Sequence, residues 1–240
     1  VIAVDTLGYG QSDKRAEIDV SYSAVSASLI RLLDQLEVRN FHLISHDRGS
    51  VISDHLIATD GMNLRIQAFL RMQQSFDKPH GLPRPAHEQM ATADWQSGNV
   101  VRGIYDSDYV SVQLPEDELA RLEWEFQFPG TAEAAARTFQ GTSFEIEREF
   151  RIENTIPRMT MPVVFLQGIR DPGQHPEEYY NAPDLIPNGR LVLVDANHFI
   201  HAEDPQLVAK IARDLFEFRN QNRPRKISSE PVEFLYPEKG

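Results

Sequence analysis

The feature that most constrains this sequence is an alternation of short, continuous apolar runs with amphipathic segments, in which each apolar run ends in a polar turn. Residues 1–5 are a β-branched run that ends at the glycine turn 6–12, and residues 41–45 are a second run that ends at 46–49. Between them, residues 22–36 carry apolar side chains three and four positions apart, the spacing of an amphipathic helix. Continuous apolar runs are typical of parallel strands buried on both faces. The pattern predicts an α/β fold with a mostly parallel sheet.

The same rhythm continues along the chain and is interrupted once. A helix is predicted over 51–58 and a strand over 66–72, and strands at 162–167 and 190–195 precede a closing amphipathic helix over 207–218. The stretch in between holds tryptophan, tyrosine and phenylalanine in helical segments separated by proline and glycine, which predicts a helical insertion. The predicted units are a first core part at 1–75, the helical insertion at 76–158, a second core part at 159–219, and a tail at 220–240 that is a loose arm or a clasp on a partner.

Net charge and the absence of cysteine exclude several functions. Among the 240 residues, 36 aspartates and glutamates outnumber 24 lysines and arginines, which gives a formal net charge of −12. This charge argues against nucleic acid or an anionic membrane surface as a partner, because both are polyanions. The chain has no cysteine, so disulfides and cysteine-bound metals are excluded. No apolar run approaches the ~20 residues that span a bilayer. We expect a cytoplasmic protein that acts on a small molecule, needs no cofactor or metal, and is able to form a homo-oligomer.

Three ionisable residues each follow a predicted strand. Asp47 follows 41–45, Asp171 follows 162–167 and His198 follows 190–195. The carboxyl ends of parallel strands are where α/β folds place their ligands. The turn Ser-His-Asp-Arg-Gly that contains Asp47 departs from the nucleophile elbow Gly-x-Ser-x-Gly in its first residue and in its central residue, which is a carboxylate.

A carboxylate at the elbow changes the chemistry that the site is expected to perform. A serine adds to a carbonyl group, whereas a carboxylate displaces a group at an sp³ carbon and forms an ester with the enzyme. Water must then hydrolyse that ester. In this hypothesis Asp47 is the nucleophile, His198 is the general base for the water, and Asp171 orients the imidazole.

Each assignment has a simpler alternative. An aspartate after a strand is commonly a helix N-cap, which is the alternative for Asp47. Asp171 could be a turn residue, with Asp77 orienting the histidine instead. His198 and His201 are spaced as metal ligands can be, but no third ligand is evident.

Taken together, these motifs resemble the α/β-hydrolase superfamily, and within it the aspartate-nucleophile branch of epoxide hydrolases and haloalkane or haloacetate dehalogenases. The resemblance implies a cap of helices inserted after the sixth strand, where the rhythm is interrupted at 76–158. The matching segments keep the family's order and spacing over most of the chain: Asp-Thr-Leu-Gly-Tyr-Gly-Gln-Ser-Asp-Lys at 5–14, His-Asp-Arg-Gly at 46–49, Phe-Leu-Gln-Gly-Ile-Arg-Asp at 165–171, Asn-His-Phe at 197–199 and Glu-Asp-Pro at 203–205.

The resemblance also concerns the first residues of the chain. The family's strand order is 1-2-4-3-5-6-7-8, in which residues 1–5 match the fourth strand and 41–45 the fifth. The third strand, which lies between these two, has no counterpart, so strands one to three are expected to be missing. Because open backbone donors and acceptors must be satisfied, we expect residues 1–5 to pair either with a segment of another chain or directly with 41–45.

The substrate class is argued from the residues around the nucleophile. Haloalkane dehalogenases usually have tryptophan after the aspartate, where this chain has Arg48. Haloacetate dehalogenases have arginine there and a second arginine three positions on, where this chain has Val51, so a carboxylate clamp is incomplete. Epoxide opening needs an acid from the cap, for which Tyr105 and Tyr109 are candidates, with His80 and His87 nearby. Epoxide hydrolysis is the leading prediction and dehalogenation the second.

A hypothesis without catalysis stays open. In the family, half of the oxyanion hole is supplied by the backbone N–H after the nucleophile, here that of Arg48, and half by a His-Gly-x-Pro loop. The one His-Gly-x-Pro string in this sequence is at 80–83, within the predicted helical insertion and not after a third strand. The chain could therefore be a binding protein that has lost catalysis, or could need an upstream segment. An esterase using Ser45 or Ser50 is disfavoured, because neither serine is at the centre of the elbow.

Overall fold

A parallel sheet forms the centre of the molecule. The computed structural model describes residues 1–77, 84–220 and 232–235. The strands of the sheet lie in the order β1-β2-β3-β4-β5, and each neighbouring pair is parallel. They are β1 Phe41–His46, β2 Ile66–Met72, β3 Val163–Gly168, β4 Gly189–Val194 and β5 Val232–Leu235.

Both faces of the sheet are covered by helices, as the continuous apolar strands predict. Alternate side chains of one strand point to opposite faces, so that Phe69 and Leu70 of β2 belong to different clusters, each fully buried. Phe69 packs with Ile57 on one face, and Leu70 packs with Ile211 on the other. The helices outside the segment that joins β2 to β3 are α1 Tyr22–Gln35, α2 Arg48–Ala58, α3 Met62–Arg65, α9 Ile200–Glu203 and α10 Pro205–Asn220.

The segment between β2 and β3 is helical where it is described. Residues 78–83, including the candidate His80, lie outside the described residues. The helices of this segment agree with the expected cap, while the unit boundaries 1–75, 76–158 and 159–219 stay a prediction. They are α4 Arg84–Met90, α5 Gly98–Tyr105, α6 Glu116–Phe126, α7 Thr131–Gln140 and α8 Phe144–Phe150, followed by the π-helical turn Arg151–Thr155 and the 3₁₀ turn Ile156–Arg158.

The strand predicted at residues 1–5 is wrong, and so is its direct pairing with 41–45. These residues have no regular secondary structure, and among the described strands β1 pairs with β2 alone. Val1 and Ile2 are exposed. The physical reason is that a strand forms only when its backbone N–H and C=O groups pair with a neighbouring strand. A β-branched composition favours an extended backbone but does not supply that neighbour. Asp5 instead organises the glycine turn, because its side chain accepts from the N–H of Gln11 at 2.8 Å and its carbonyl from the hydroxyl of Ser12 at 2.6 Å.

The tail contains a strand that the sequence analysis missed. Val232 lies opposite Leu191 in the register of β5 on β4. The other residues of the predicted tail after Asn220 lie outside the described residues, so the arm or clasp is not tested. No helix in the described part of the chain is long and apolar enough to cross a membrane.

Candidate active site

Asp47 lies in a strained turn between β1 and α2. Its backbone has φ 45° and ψ −125°, a left-handed conformation that residues with a side chain rarely adopt. The turn is held because the N–H of Asp47 donates to the carbonyl of Met72 at 3.1 Å and the N–H of Ser50 donates to the carbonyl of Asp47 at 2.8 Å. The Asp47 side chain makes no capping hydrogen bond to α2. Its carboxylate is therefore not used as an N-cap.

Small residues on either side make room for this turn. The hydroxyls of Ser45 and Ser50 lie 2.9 Å apart and satisfy each other. A Cβ added at Gly49 would meet the Cβ of Ser45 at 3.9 Å, so the two positions are in van der Waals contact. Ser45, at the first elbow position, is accommodated in place of glycine because its hydroxyl is hydrogen-bonded to that of Ser50.

The structure brings Asp47, Asp171 and His198 together at the carboxyl ends of β1, β3 and β4. His198 Nδ1 is 2.8 Å from Asp171 Oδ2, and His198 Nε2 is 3.9 Å from Asp47 Oδ2. The side chain of Asp171 is fully buried. Its other oxygen accepts from the N–H of Gly173 at 2.8 Å and of Gln174 at 3.0 Å. The carboxylate bonded to Nδ1 of His198 is thus that of Asp171 and not that of Asp77.

The three groups shift one another's charge states. Burial alone would lower the pKa of His198, but the hydrogen bond to Asp171 and the charges of Asp47 and Asp171 outweigh it and raise this pKa from 6.5 to about 9. Burial would raise the pKa of Asp47, yet the interactions with His198, His46 and Arg48 hold it below its usual range. At neutral pH Asp47 is therefore ionised and His198 is protonated.

Gln73, which the sequence analysis missed, holds Asp171 from the other side. Its Nε2 donates to Asp171 Oδ2 and to the carbonyl of Asn197, each at 2.9 Å, and its Oε1 accepts from the N–H of Gly168 at 2.9 Å. Gln73 is fully buried with φ 42°. A Cβ at Gly168 would lie 2.2 Å from the carbonyl oxygen of Asn197. Gly168 thus allows the loops that carry Asp171 and His198 to touch, and Gln73 ties them together.

His46 is a second residue that sequence reasoning missed. Its Nε2 lies 3.0 Å from the carbonyl of His198 and donates to it. The imidazole of His201 is 4.6 Å from that of His46 between ring centroids. Burial, together with the charge of His198, lowers the pKa of His46 to about 3, so it is neutral. The only sequence signal for this role is its position next to Asp47.

The two candidate tyrosines of the cap differ in their surroundings. Tyr109 lies edge-on to His198, with 5.5 Å between the ring centroids, and its carbonyl accepts from the N–H of His198 at 3.0 Å. Burial and the charges of Asp171 and Asp47 raise the pKa of Tyr109. Tyr105 packs on Phe199 at 4.6 Å, and the charges that act on it come from α6. Tyr109 is therefore the one beside the acidic groups.

Tyr9 from the glycine turn is a third tyrosine near the nucleophile. Burial raises its pKa above its usual range, with contributions from Tyr22 and from the charge of Asp47. Its ring packs edge-on against Phe126 of α6 at 6.0 Å. In the sequence Tyr9 is only part of a motif, because a tyrosine with a glycine on each side gives no indication of which way its side chain points.

Arg48, predicted to bind substrate, has its side chain engaged by protein groups. Its guanidinium forms a salt bridge with Glu147 of α8, and its Nε donates to the hydroxyl of Tyr22 at 2.7 Å. The carboxylate of Glu147 is largely buried. Arg48 therefore pairs with a carboxylate of the protein that is not on the surface.

Among residues 1–77, 84–220 and 232–235, no group of three or more histidine, aspartate or glutamate side chains is placed to hold a metal ion. His198 and His201, which are spaced as ligands, flank His46 instead.

Sequence comparison agrees with this fold. Residues 1–205 match the family model described as the alpha/beta hydrolase fold. The chain belongs to this family. Its match covers β1 to β4 together with the helical segment between β2 and β3.

Two curated relatives share about a fifth of their residues with this hydrolase-fold chain. One, from Pseudomonas savastanoi pv. phaseolicola, is named "Putative carbamate hydrolase RutD" and is 22% identical over 228 residues, covering 92% of this chain and 83% of the relative. A protein of the same name from Stutzerimonas stutzeri is 23% identical over 204 residues, covering 81% and 72%.

Solved structures share the fold at lower identity. A structure described as a putative ancestral haloalkane dehalogenase, AncHLD2, has a TM-score of 0.71 at 17% identity, covering 90% of this chain and 80% of that one. A structure of DBJA has a TM-score of 0.74 at 13% identity, covering 92% and 81%. At these identities the likeness shows the fold alone.

Proposed function

We propose that this hydrolase acts through a covalent ester on Asp47, and that its substrate is an epoxide. One observation carries the proposal: the carboxylate at the strained turn after β1 faces Nε2 of a histidine whose Nδ1 is bonded to a second, buried carboxylate. A carboxylate held in this way is a nucleophile for carbon, and the histidine opposite it is suited to activate water.

The reaction divides into two steps. In the first, an oxygen of Asp47 forms a bond to an epoxide carbon, the carbon–oxygen bond of the ring breaks, and the ring oxygen takes a proton from an acid. In the second, water adds to the ester carbonyl while His198 takes its proton, and the diol leaves as Asp47 is restored. Esterification removes the charge of Asp47, which is one of the interactions that raise the pKa of His198. Formation of the ester thus favours transfer of the His198 proton to the conjugate base of the acid, which restores the acid and makes His198 a base for the second step.

Tyr109 is the proposed acid for the opening ring. It packs on His198, it is electrostatically coupled to Asp47, and its raised pKa keeps the hydroxyl protonated. The alkoxide that forms on ring opening is a stronger base than a phenolate, so the proton moves towards it. Tyr9 is coupled to Asp47 as well, and is the alternative donor.

Dehalogenation is the second candidate, because the same ester forms when Asp47 displaces a halide from an sp³ carbon. One of the structural neighbours is described as a haloalkane dehalogenase. The names of the curated relatives suggest carbamates as a third class. We rank carbamates lower, since attack of a carboxylate on a carbamate carbonyl would give an anhydride rather than a stable ester.

Trapping the ester tests the proposal. His198→Gln should form the ester but not hydrolyse it, so its intact mass should increase by that of one styrene oxide, and peptide mapping should locate the adduct on Asp47. The same variant with 1-iodobutane would gain only the butyl group and release iodide, which would indicate a dehalogenase.

Asp47→Asn is the matched control, since it keeps the shape of the side chain and removes the nucleophile. It should give no adduct and no turnover. Normal turnover by His198→Gln, or an adduct on any other residue, would show that the mechanism is wrong.

A further inference from the structure

The carboxylate of Asp171 is held by hydrogen bonds on all sides. Its Oδ1 accepts from the backbone N–H groups of Gly173 and Gln174 at 2.8 and 3.0 Å. Its Oδ2 accepts from Gln73 Nε2 at 2.9 Å and lies 2.8 Å from His198 Nδ1. A carboxylate accepts about four hydrogen bonds, so this group is saturated. The position of the oxygen that faces His198 therefore depends on where the other three donors hold the carboxylate.

Gln174, which supplies one of these donors, is itself fixed at three further points. Its Nε2 donates to the carbonyl of Gln73 at 3.1 Å, and its backbone carbonyl accepts from Gln167 Nε2 at 2.9 Å. Its Oε1 is bonded to the hydroxyl of Tyr179. Because the carbonyl of Gln73 can only accept, it requires the amide nitrogen of Gln174, which leaves the amide oxygen for Tyr179. The Tyr179 hydroxyl is therefore the donor in this bond.

Tyr179 reaches Gln174 from the core side of the loop. The 3₁₀ turn Pro176–Glu178 reverses the chain between the two residues, and the N–H of Tyr179 donates to the carbonyl of Pro176 at 3.0 Å. Its ring belongs to the same buried cluster as Phe165, and it is 2% exposed. Burial, with the charge of Asp171, raises the pKa of Tyr179 well above its ordinary value, so the hydroxyl keeps its proton. A phenylalanine would pack equally well here, but it would not donate to Gln174.

We infer that Tyr179 is a positioning residue for the active site: by holding Gln174 it sets the place of the Asp171 carboxylate and so the hydrogen bond between Asp171 and His198. Tyr179 acts only through Gln174, on the side of the loop away from His198. The inference rests on the proposed function in that Asp171 orients the base of the second step.

Removal of the hydroxyl alone tests the inference. Tyr179→Phe keeps the ring and removes the donor, so that the Gln174 side chain loses one of its anchors. NMR titration of the full-length protein, with its histidines labelled with carbon-13, measures the pKa of His198, whose signal is identified by its absence in His198→Gln. This pKa, about 9 in the wild type, should fall by about one unit, because the hydrogen bond to Asp171 that raises it is weakened.

Tyr180→Phe is the matched control, because it removes a hydroxyl from the next residue, which is 45% exposed. It should leave the pKa of His198 unchanged. Both variants keep the titratable groups that face His198, which include Asp47, Asp171, His46, His201 and Tyr109. The inference is overturned if Tyr179→Phe lowers the midpoint of thermal unfolding but leaves the pKa of His198 at its wild-type value, as a role in stability alone would. It is also overturned if Tyr180→Phe lowers that pKa equally.

The wild type provides a second measurement, which does not depend on whether the variant folds. Loss of the proton from His198 changes the charge beside Asp171, to which Gln174 is bonded through its backbone N–H. The Nε2 amide signals of Gln174 should therefore shift with the same midpoint as His198, while those of Gln67, near the start of β2, should not. Gln174 signals that do not follow His198 overturn the inference.

Failure of this inference is distinguishable from failure of the proposed function, because the titration needs no turnover. If the pKa of His198 falls in Tyr179→Phe but no ester forms on Asp47, the proposed function fails and the positioning role stands. If the ester forms in His198→Gln but the pKa is unchanged in Tyr179→Phe, the proposed function stands and Tyr179 has no such role.

Discussion

At the scale of single residues, Gln73 is predicted to be a positioning residue for Asp171. It donates to the carboxylate oxygen that also accepts from His198, and it accepts from the N–H of Gly168. Gln73→Leu removes these two contacts and the hydrogen bond to the carbonyl of Asn197, and leaves the N–H of Gly168 buried without an acceptor. We expect urea unfolding to show a loss of about 1–3 kcal/mol. With the epoxide substrate of the proposed function, kcat should fall about tenfold while KM changes little, because Gln73 is not expected to touch the substrate.

Gln67→Leu serves as the control for this change. Gln67 is on the same strand, β2, and its amide bonds to Asn40 at 3.1 Å on an exposed part of the molecule. A loss of stability and of kcat as large in Gln67→Leu as in Gln73→Leu would contradict the assigned role.

His198 should make the stability of the protein depend on pH in a defined direction. Its pKa is raised from 6.5 to about 9, so the folded state holds a proton that the unfolded state releases between these values. The stabilisation is fully present below about pH 6.5 and is lost as the pH rises through about 9, amounting to about 3 kcal/mol. Urea unfolding between pH 6 and 10 measures it. In His198→Gln this component should be absent, and an unchanged pH profile in that variant would contradict the assignment.

Some residues of the site could be predicted from the sequence, whereas others could not because their roles depend on contacts with residues distant in the chain. Asp47, Asp171 and His198 each come within four residues of the end of a strand, and parallel strands bring such positions to one edge. His46 and Gln73 also end strands, but neutral imidazole and amide side chains have no pattern that marks a role. Their roles come from contacts with His198 and Asp171, which are more than 90 positions away.

At the scale of elements, a buried ionic cluster joins α2, β2 and the π-helical turn after the cap. Asp54 accepts from Arg71 at 3.2 Å and from Arg151 at 2.6 Å, and each of the three side chains is at most 2% exposed. Arg151 also donates to the carbonyl of Phe76, where the chain leaves β2 for the cap segment. The cluster therefore fixes both ends of that segment to the core.

Asp54→Asn should destabilise the protein strongly, because two buried guanidinium groups lose their counter-charge. We expect a loss of about 3–5 kcal/mol in urea unfolding. Asp60→Asn removes a carboxylate that is 97% exposed and pairs with Arg158 at 3.3 Å, and it should have no measurable effect. Similar stabilities for the two variants would show that the cluster does not hold the segment.

Elements with clear apolar patterns were predicted closely: β2 has the predicted bounds 66–72, and α1 ends one residue before the predicted 36. The prediction of a strand at residues 1–5 was wrong because the apolar pattern is a property of those residues alone, whereas a strand needs a pairing partner from elsewhere in the sequence. The strand β5 was missed because its apolar pattern is only four residues long and lies in a tail rich in charge and proline. Its conformation is determined by pairing with β4, which the local sequence does not indicate.

At the scale of the whole molecule, the parallel sheet ends on one side at β1, an apolar strand whose outer edge no described strand covers. β1 has a described neighbour only in β2, and Ile44 of β1 is 48% exposed. A groove of about 870 Å³ runs along this edge between β1 and residues 1–4, lined among others by Ile2, Leu33 and Phe216. Open, apolar sheet edges pair with other chains, while a net charge of −12 opposes close approach.

This edge should therefore bind an apolar dye and promote association once charge is screened. We expect the protein to enhance the fluorescence of anilinonaphthalene sulfonate and to sediment as larger species when salt is raised, since screening weakens the repulsion between copies. Ile44→Lys adds a charge at the open edge and should reduce both effects without lowering the midpoint of thermal unfolding. Leu64→Lys makes the same change in α3 at a residue that is 73% exposed and outside the groove, and it should leave both effects as in the wild type. Equal dye binding and sedimentation in the two variants would show that the edge of β1 is not the surface responsible.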